Sequence, residues 1–144
     1  MIEQDTVKLL RECDAGTKMG ISAIGDVLPH VHSERLKGTL TESMEKHERL
    51  ESELEGLLAR YRDDGKEPSP MAKGMSAVKT NVKLMMKDSD ATVADLITDG
   101  CDMGVKSLSR YLNQYAAADE QSKNIAKRLI GLEESLGVAM RDYL

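Results

Sequence analysis

The chain lacks features on which whole classes of protein depend. Its 144 residues contain no Trp and no Phe, so that four Tyr are its only aromatic side chains. Proteins that bind single-stranded nucleic acids stack bases on aromatic side chains, and this chain has few to offer. The formal net charge is −5, whereas nucleic-acid binding needs a basic surface. We therefore expect no nucleic-acid partner.

Long apolar runs and signs of secretion are also missing. No apolar stretch approaches the roughly 18 residues that indicate a membrane span. The first ten residues, MIEQDTVKLL, lack the basic start and apolar run of a signal peptide. The chain has only two Cys, which we expect to be free thiols in a reducing compartment. These observations predict a cytoplasmic protein and argue against a membrane partner.

Both cysteines belong to an internal repeat. The pattern Cys-Asp-x-Gly-x-Lys begins at Cys13 and again at Cys101, at an offset of 88 residues, with apolar residues at matching helical positions around it. A repeat of this kind indicates that one helical unit occurs twice. Within each copy Asp and Lys are four residues apart, which is the spacing of an ordinary ion pair on a helix surface. We interpret the mid-helix glycines as places where helices approach closely.

Apolar residues recur at spacings of three and four nearly throughout the chain, which predicts an all-α protein. One domain, residues 1–144, is expected to contain a hairpin over 5–61, a crossover over 62–89 and a second hairpin over 90–144. Pro29 ends the first helix of the first hairpin. The predicted helices span about 5–28, 33–61, 69–87, 91–115 and 119–143.

With these features the chain resembles the ferritin-like superfamily of four-helix bundles, and more narrowly a bacterial branch of unknown function. The residues that carry the resemblance are the duplicated hairpin and the segments KHERLESELEGLL (46–58), PSPMAKGM (68–75) and DGCDMG (99–104). The resemblance implies a ferritin-like four-helix bundle of two duplicated antiparallel hairpins, with a short extra helix in the long crossover. One long crossover between two hairpins is the connectivity of that superfamily.

The sequence departs from the active members of that superfamily. They carry a Glu-x-x-His pair on each of the second and fourth helices. None of the three histidines here has Glu three residues earlier, because those positions hold Val27, Pro29 and Met44. The paired di-iron signature is absent, which favours a non-enzymatic role over an enzymatic one.

A different, asymmetric metal site remains open. If the hairpins pack as in the superfamily, Cys13, His47, Cys101 and Glu133 converge midway along the bundle. Two thiolates, an imidazole and a carboxylate suit a single zinc or iron ion, which would make the chain a metal-binding or redox protein. The competing interpretation is structural, with buried packing cysteines, a hydrogen-bonded core histidine and a solvated Glu133.

The helix in the crossover carries an apolar stripe with lysines on its other side. Such a helix either covers its own bundle as a lid or docks onto a membrane or a partner helix. The stripe consists of Met71, Met75, Val78, Val82 and Met85.

The leading functional prediction is a non-enzymatic cytoplasmic helical-bundle protein that acts through packing or partner contacts. Its partner is expected to be another protein or a further copy of the chain, and no cofactor is expected apart from the metal ion of the alternative.

Overall fold

The computed structural model describes residues 2–144, apart from the side chain of Ile2, and this part of the chain is all-α, without strands. Its helices are α1 (Ile2–Val27), α2 (Glu34–Ala59), α3 (Pro70–Met86), α4 (Asp90–Gln114) and α5 (Glu120–Met140). Short 3-10 turns follow α1 at Leu28–His30 and α5 at Arg141–Tyr143. None of the described helices combines the length and the apolar composition that crossing a membrane requires.

Local sequence signals account for the helix ends. Ser33, Ser89 and Asp119 precede α2, α4 and α5, and each side chain accepts a hydrogen bond of 2.8–3.2 Å from a backbone N–H three residues ahead. Such caps satisfy N–H groups that have no partner inside the helix. Ser69 precedes α3 without a capping hydrogen bond from its side chain. The first residues of α2, α3, α4 and α5 agree with the predicted starts within one residue. Helix α1 begins three residues before its predicted start.

Hydrogen bonds between helix ends show how the hairpins are arranged. The carboxylate of Asp90 accepts the backbone N–H groups of His32, at 2.7 Å, and Ser33, at 3.0 Å, so that α4 starts beside the start of α2. Thr6 accepts the backbone N–H of Asp119 at 2.9 Å, so that α5 starts beside the start of α1. The helices α1, α2, α4 and α5, which we call the main body, thus consist of two antiparallel hairpins joined by a crossover that returns along their length.

The core of the main body is divided into two hydrophobic clusters, one towards each end. The first surrounds the start of α1 and the end of α2, and contains Leu9, Leu10, Cys13, Leu50, Leu54, Leu57, Leu58, Leu108, Ala118, Ile125, Ala126 and Leu129. The second surrounds the end of α1 and the start of α2, and contains Ile24, Val27, Leu36, Leu40, Leu84, Val93, Ala94, Leu96, Ile97, Cys101, Leu136 and Met140.

The crossover helix α3 lies against α1 and α4. Lys79 pairs with Asp99 at 3.1 Å and Lys83 pairs with Asp95 at 3.0 Å, which shows that α3 runs antiparallel to α4. Leu84 is buried and belongs to the second core cluster. The contact of α3 with the main body therefore combines two ion pairs with one large apolar side chain.

Candidate functional site

The middle of the core holds a buried pair of ionisable side chains. His47 on α2 is fully buried, and its Nε2 lies 2.8 Å from Oε1 of Glu133 on α5. Glu133 is itself only 8 % exposed. The hydrogen-bonded core histidine of the structural interpretation is confirmed. The solvated Glu133 of that interpretation is wrong, because α2 and α1 cover the margin of α5 on which this residue lies.

The hydrogen bonds of His47 define how many protons the pair holds. Its Nδ1 lies 2.8 Å from the carbonyl oxygen of Ser43, and because a carbonyl only accepts, Nδ1 must carry a proton. The contact between Nε2 and Glu133 requires a second proton, on the ring or on the carboxyl group. Burial alone lowers the pKa of His47, but the hydrogen bonds to Glu133 and Ser43 outweigh burial, so that its pKa is raised above the ordinary value.

Gly20 provides space for the ring of His47, and Gly104 lies against Glu133. A Cβ atom at Gly20 on α1 would lie 2.9 Å from both Cδ2 and Nε2 of His47, closer than real Cβ contacts come. A Cβ atom at Gly104 on α4 would lie 3.5 Å from the carboxyl group of Glu133. The prediction that mid-helix glycines mark close helix approach is confirmed at Gly20, where the close neighbour is a polar side chain, whereas the contact at Gly104 is an ordinary van der Waals distance.

Of the four predicted metal ligands, His47, Glu133 and Cys101 lie together, and Cys13 lies apart. Cys101 lies beside Glu133, whereas Cys13 packs into the other hydrophobic cluster with the first turns of α1. Among the described residues, no group of three or more His, Cys, Asp or Glu side chains is placed to hold a metal ion. The reason is the position of each Cys relative to the His47–Glu133 pair: Cys13 lies seven residues before Gly20, which contacts His47, and Cys101 lies three residues before Gly104, which contacts Glu133. Because α1 and α4 run antiparallel, the two Cys lie on opposite sides of the pair, and Cys13 is about 10 Å along α1 from Gly20.

The surroundings of Cys13 and Cys101 favour the protonated thiol, whereas metal ligands and nucleophiles are thiolates. Burial, followed by the charges of Glu12 and Asp14, raises the pKa of Cys13 to about 12. Burial and then the negative charge of Glu133 raise the pKa of Cys101 above its usual range. A thiol binds metal and attacks electrophiles as the thiolate, which these surroundings disfavour. Both ring nitrogens of His47 are already hydrogen-bonded, so neither offers a lone pair. The hydrogen bond between His47 and Glu133 joins α2 to α5 inside the core.

A second buried polar cluster joins α1 to α2 and to the start of the crossover. Asp14 is only 1 % exposed; its Oδ2 accepts the backbone N–H of Lys66 at 2.8 Å and pairs with Lys18 at 2.9 Å. The predicted spacing of the Asp14–Lys18 pair is confirmed, but its expected position on the surface is wrong, because residues 62–69 of the crossover cover it. Asp102 of the other repeat is exposed.

The carboxyl groups of Asp14 and Glu51 share this cluster. Oδ1 of Asp14 and both carboxyl oxygens of Glu51 are buried and have no hydrogen-bond donor in the structure. Burial, and then a hydrogen bond to Asp14, raise the pKa of Glu51 to about 8. One proton held between the two carboxyl groups supplies the missing donor at neutral pH. Glu51 is not among the residues predicted from the sequence, because nothing in the charged run around it distinguishes this residue from its neighbours.

The apolar stripe of α3 faces solvent. Its residues are exposed by 75 % at Met71, 67 % at Met75, 62 % at Val78, 50 % at Val82 and 87 % at Met85. At 3.6 residues per turn, the centre of the stripe lies about 180° around the helix from the buried Thr80. Helix α3 was expected either to cover its own bundle as a lid or to dock onto a membrane or a partner helix. The stripe does not contact the bundle as the apolar face of a lid would. The helix is seated on its polar side.

No family model, no curated protein and no solved structure matches this chain.

Proposed function

We propose that this chain is a non-enzymatic cytoplasmic protein that binds the apolar face of a partner helix through α3. The observation that carries the proposal is the outward stripe of α3, which we call the docking stripe: Met71, Met75, Val78, Val82 and Met85, all at least half exposed. Contiguous exposed apolar surface of this kind marks interaction sites on folded proteins.

The energetics favour an external partner over rearrangement of the chain. Burying one Met or Val side chain contributes about 1.5–3 kcal/mol, so the docking stripe leaves a large free energy unused while it faces water. The described part of the main body has no matching apolar strip for α3 to cover, because its large exposed apolar side chains are Met103, Val138 and Leu144. Rotating α3 inwards would also break its ion pairs with Asp95 and Asp99.

The spacing of the docking stripe favours a helical partner. Its residues are separated by four, three, four and three positions, an average of 3.5, which is the repeat of helices that pack side by side over several turns. Three of the five are Met, whose flexible side chains adapt to the surface they meet. Met103, which is 70 % exposed, lies one turn beyond Asp99 on α4, and Asp99 is the residue that pairs with Lys79 of α3.

The main body supports the resemblance to ferritin-like bundles, and we propose that the chain belongs among them. Two antiparallel hairpins and a crossover that returns along the body are the connectivity of that superfamily. Active members of that superfamily hold metal with Glu and His side chains that project into the bundle core, whereas here the core histidine and carboxylate bind each other. We therefore propose that this bundle serves as a scaffold for α3 and place the metal-binding alternative second.

A panel of synthetic helical peptides tests the docking proposal. Labelled peptides of about 18 residues, each with a 4-3 apolar seam, are titrated with the chain and followed by fluorescence anisotropy. We expect at least one to bind, and Val82→Lys to weaken that binding about tenfold or more, since a lysine would be buried in an apolar seam. Val138→Lys is the matched control, because Val138 on α5 is 53 % exposed. If both variants weaken binding equally, or if no seam peptide binds and the chain does not associate with itself through α3 either, the proposal is wrong.

A further inference from the structure

We infer that the partner helix is α3 of a second copy of this chain, so that two docking stripes pack against each other. This inference rests on the proposed function, since it names the helix that the docking stripe binds. It makes the interface isologous, with the same surface contributed by both copies.

The docking stripe is complementary to itself in size. In a parallel pair in register, each Met and each Val faces the same residue of the second chain. In an antiparallel pair, Met75 faces Met85 while Val78 faces Val82, and the two-fold symmetry repeats both contacts. In the parallel pair all five side chains meet their own kind, whereas in the antiparallel pair four do and Met71 lies opposite Ser89, beyond the end of α3. A two-fold interface needs this property, because one surface must serve as both partners.

The residues beside the docking stripe allow two copies to approach. Ala72, Gly74 and Asn81 flank it and carry no charge, and a Cβ atom at Gly74 would meet nothing within 4 Å. Lys79 is the charged residue nearest the stripe, and Asp99 of the same chain lies 3.1 Å from it. The positive charges of two copies are thus compensated within each copy, and the seam itself contains no like-charge contact.

The charges around α3 argue against an anionic membrane as the occupant. The chain carries a formal net charge of −5, and α3 contains three lysines, two of which are paired with acidic residues of α4. Helices that lie on anionic membranes depend on free basic residues around their apolar face. A second copy requires no such charge, because apolar contact supplies the attraction.

Sedimentation of the full chain over a range of concentrations tests the inference. We expect a reversible monomer–dimer equilibrium in the wild type. Val78→Glu should raise the dissociation constant about tenfold or more, since it places a carboxylate in the seam of both copies. Val138→Glu should leave the dissociation constant unchanged, and thermal unfolding of each variant shows whether it is folded.

Mixing two charge variants then identifies the partner. Val78→Glu combined with Val82→Lys should restore the dimer if the helices are antiparallel, whereas Val78→Glu combined with Val78→Lys should restore it if they are parallel. Restoration in one of these mixtures, and its absence when the Lys is at Val138, can only come from contact between two docking stripes.

Other results would overturn the inference without touching the proposed function, or would overturn both. A chain that stays monomeric while seam peptides still bind has a foreign helix as its partner. A dimer that Val78→Glu does not weaken, or that neither mixture restores, uses another surface. Binding of the monomeric chain to phosphatidylglycerol vesicles, lost in Val78→Glu, would make a membrane the occupant. Failure of the peptides and of self-association together would refute the docking stripe altogether.

Discussion

Nε2 of His47 lies 2.8 Å from Oε1 of Glu133, and this bond joins α2 to α5 between the two hydrophobic clusters of the core. Removing charged or polar groups from water costs free energy that their mutual attraction must offset. A buried pair of this kind can specify how helices align, because a slip along the body would leave both groups without a partner.

The internal repeat supplies the apolar replacements for a test of this pair. The position equivalent to His47 in the second hairpin holds Leu136, and the position equivalent to Glu133 in the first holds Met44. We expect His47→Leu or Glu133→Met alone to lower the free energy of unfolding by about 3–5 kcal/mol, because each leaves one buried group unpaired. The double variant should lie within about 1.5 kcal/mol of the wild type. Urea unfolding measures all three, and additive losses would contradict the coupling.

Gly20 should be intolerant of a side chain. Replacing Gly by Ala inside a helix normally stabilises it by about 1 kcal/mol. At Gly20 the new Cβ would lie 2.9 Å from the ring of His47, which cannot move without losing its hydrogen bonds. We expect Gly20→Ala to destabilise the fold by about 1–3 kcal/mol. Gly38→Ala is the control, because its Cβ meets nothing within 4 Å; that variant should gain stability in the same denaturation experiment.

The shared proton of Asp14 and Glu51 predicts a dependence of stability on pH. The pKa of Glu51 is raised from 4.5 to about 8 in the folded chain, so between these values the folded state holds a proton that the unfolded state has released. The free energy of unfolding should therefore fall as pH rises from about 5 to 8, by an amount on the order of 1 kcal/mol or more from this group.

Glu51→Gln removes this dependence, since the amide donates to Asp14 at every pH. We expect the melting temperature of the variant to exceed that of the wild type at pH 8.5 and the difference to shrink towards pH 5. Glu48→Gln, at an exposed position of the same helix, is the control. If the melting temperatures of wild type and Glu51→Gln differ by the same amount at every pH from 5 to 8.5, the carboxyl groups hold no shared proton.

The cysteines should behave as packing residues. Both are buried, and burial raises the pKa of each thiol. We expect neither Cys13 nor Cys101 to react with a disulfide thiol reagent in the native chain, and both to react in denaturant. Protein purified from medium supplemented with zinc and iron should contain far less than one metal ion per chain. If the protein contained one metal ion per chain and this ion prevented both thiols from reacting, the cysteines would be metal ligands and not packing residues.

Much of the helical framework could be predicted from the sequence because its causes are local. Ser33, Ser89 and Asp119 cap helices through their own side chains, and the three- and four-residue spacing requires helices with an inward face. The inward direction of His47 follows from the same spacing. The position of each helix end depends on a few neighbouring residues, so a pattern in the chain is enough to locate it.

The polar clusters could not be predicted, because they depend on which helix covers the edge of another. Glu133 and Glu51 both lie at the margin of an apolar face, where a residue is buried or solvated according to the neighbouring element. Asp14 has the same sequence context as Asp102, yet the crossover segment covers Asp14 and leaves Asp102 exposed. The two cysteines were expected together, but antiparallel helices place them in different clusters.

By itself, the sequence determined that the chain forms helices, where they begin, and that α3 has one apolar side, because these properties depend on spacing along the chain. Only the tertiary structure decided which side of α3 faces the main body. Two ion pairs to α4 and the burial of Leu84 hold its polar side inwards, and the docking stripe is left in solvent. The rotation of a helix about its own axis is a matter of packing between elements, and here it converts an amphipathic pattern into an exposed surface.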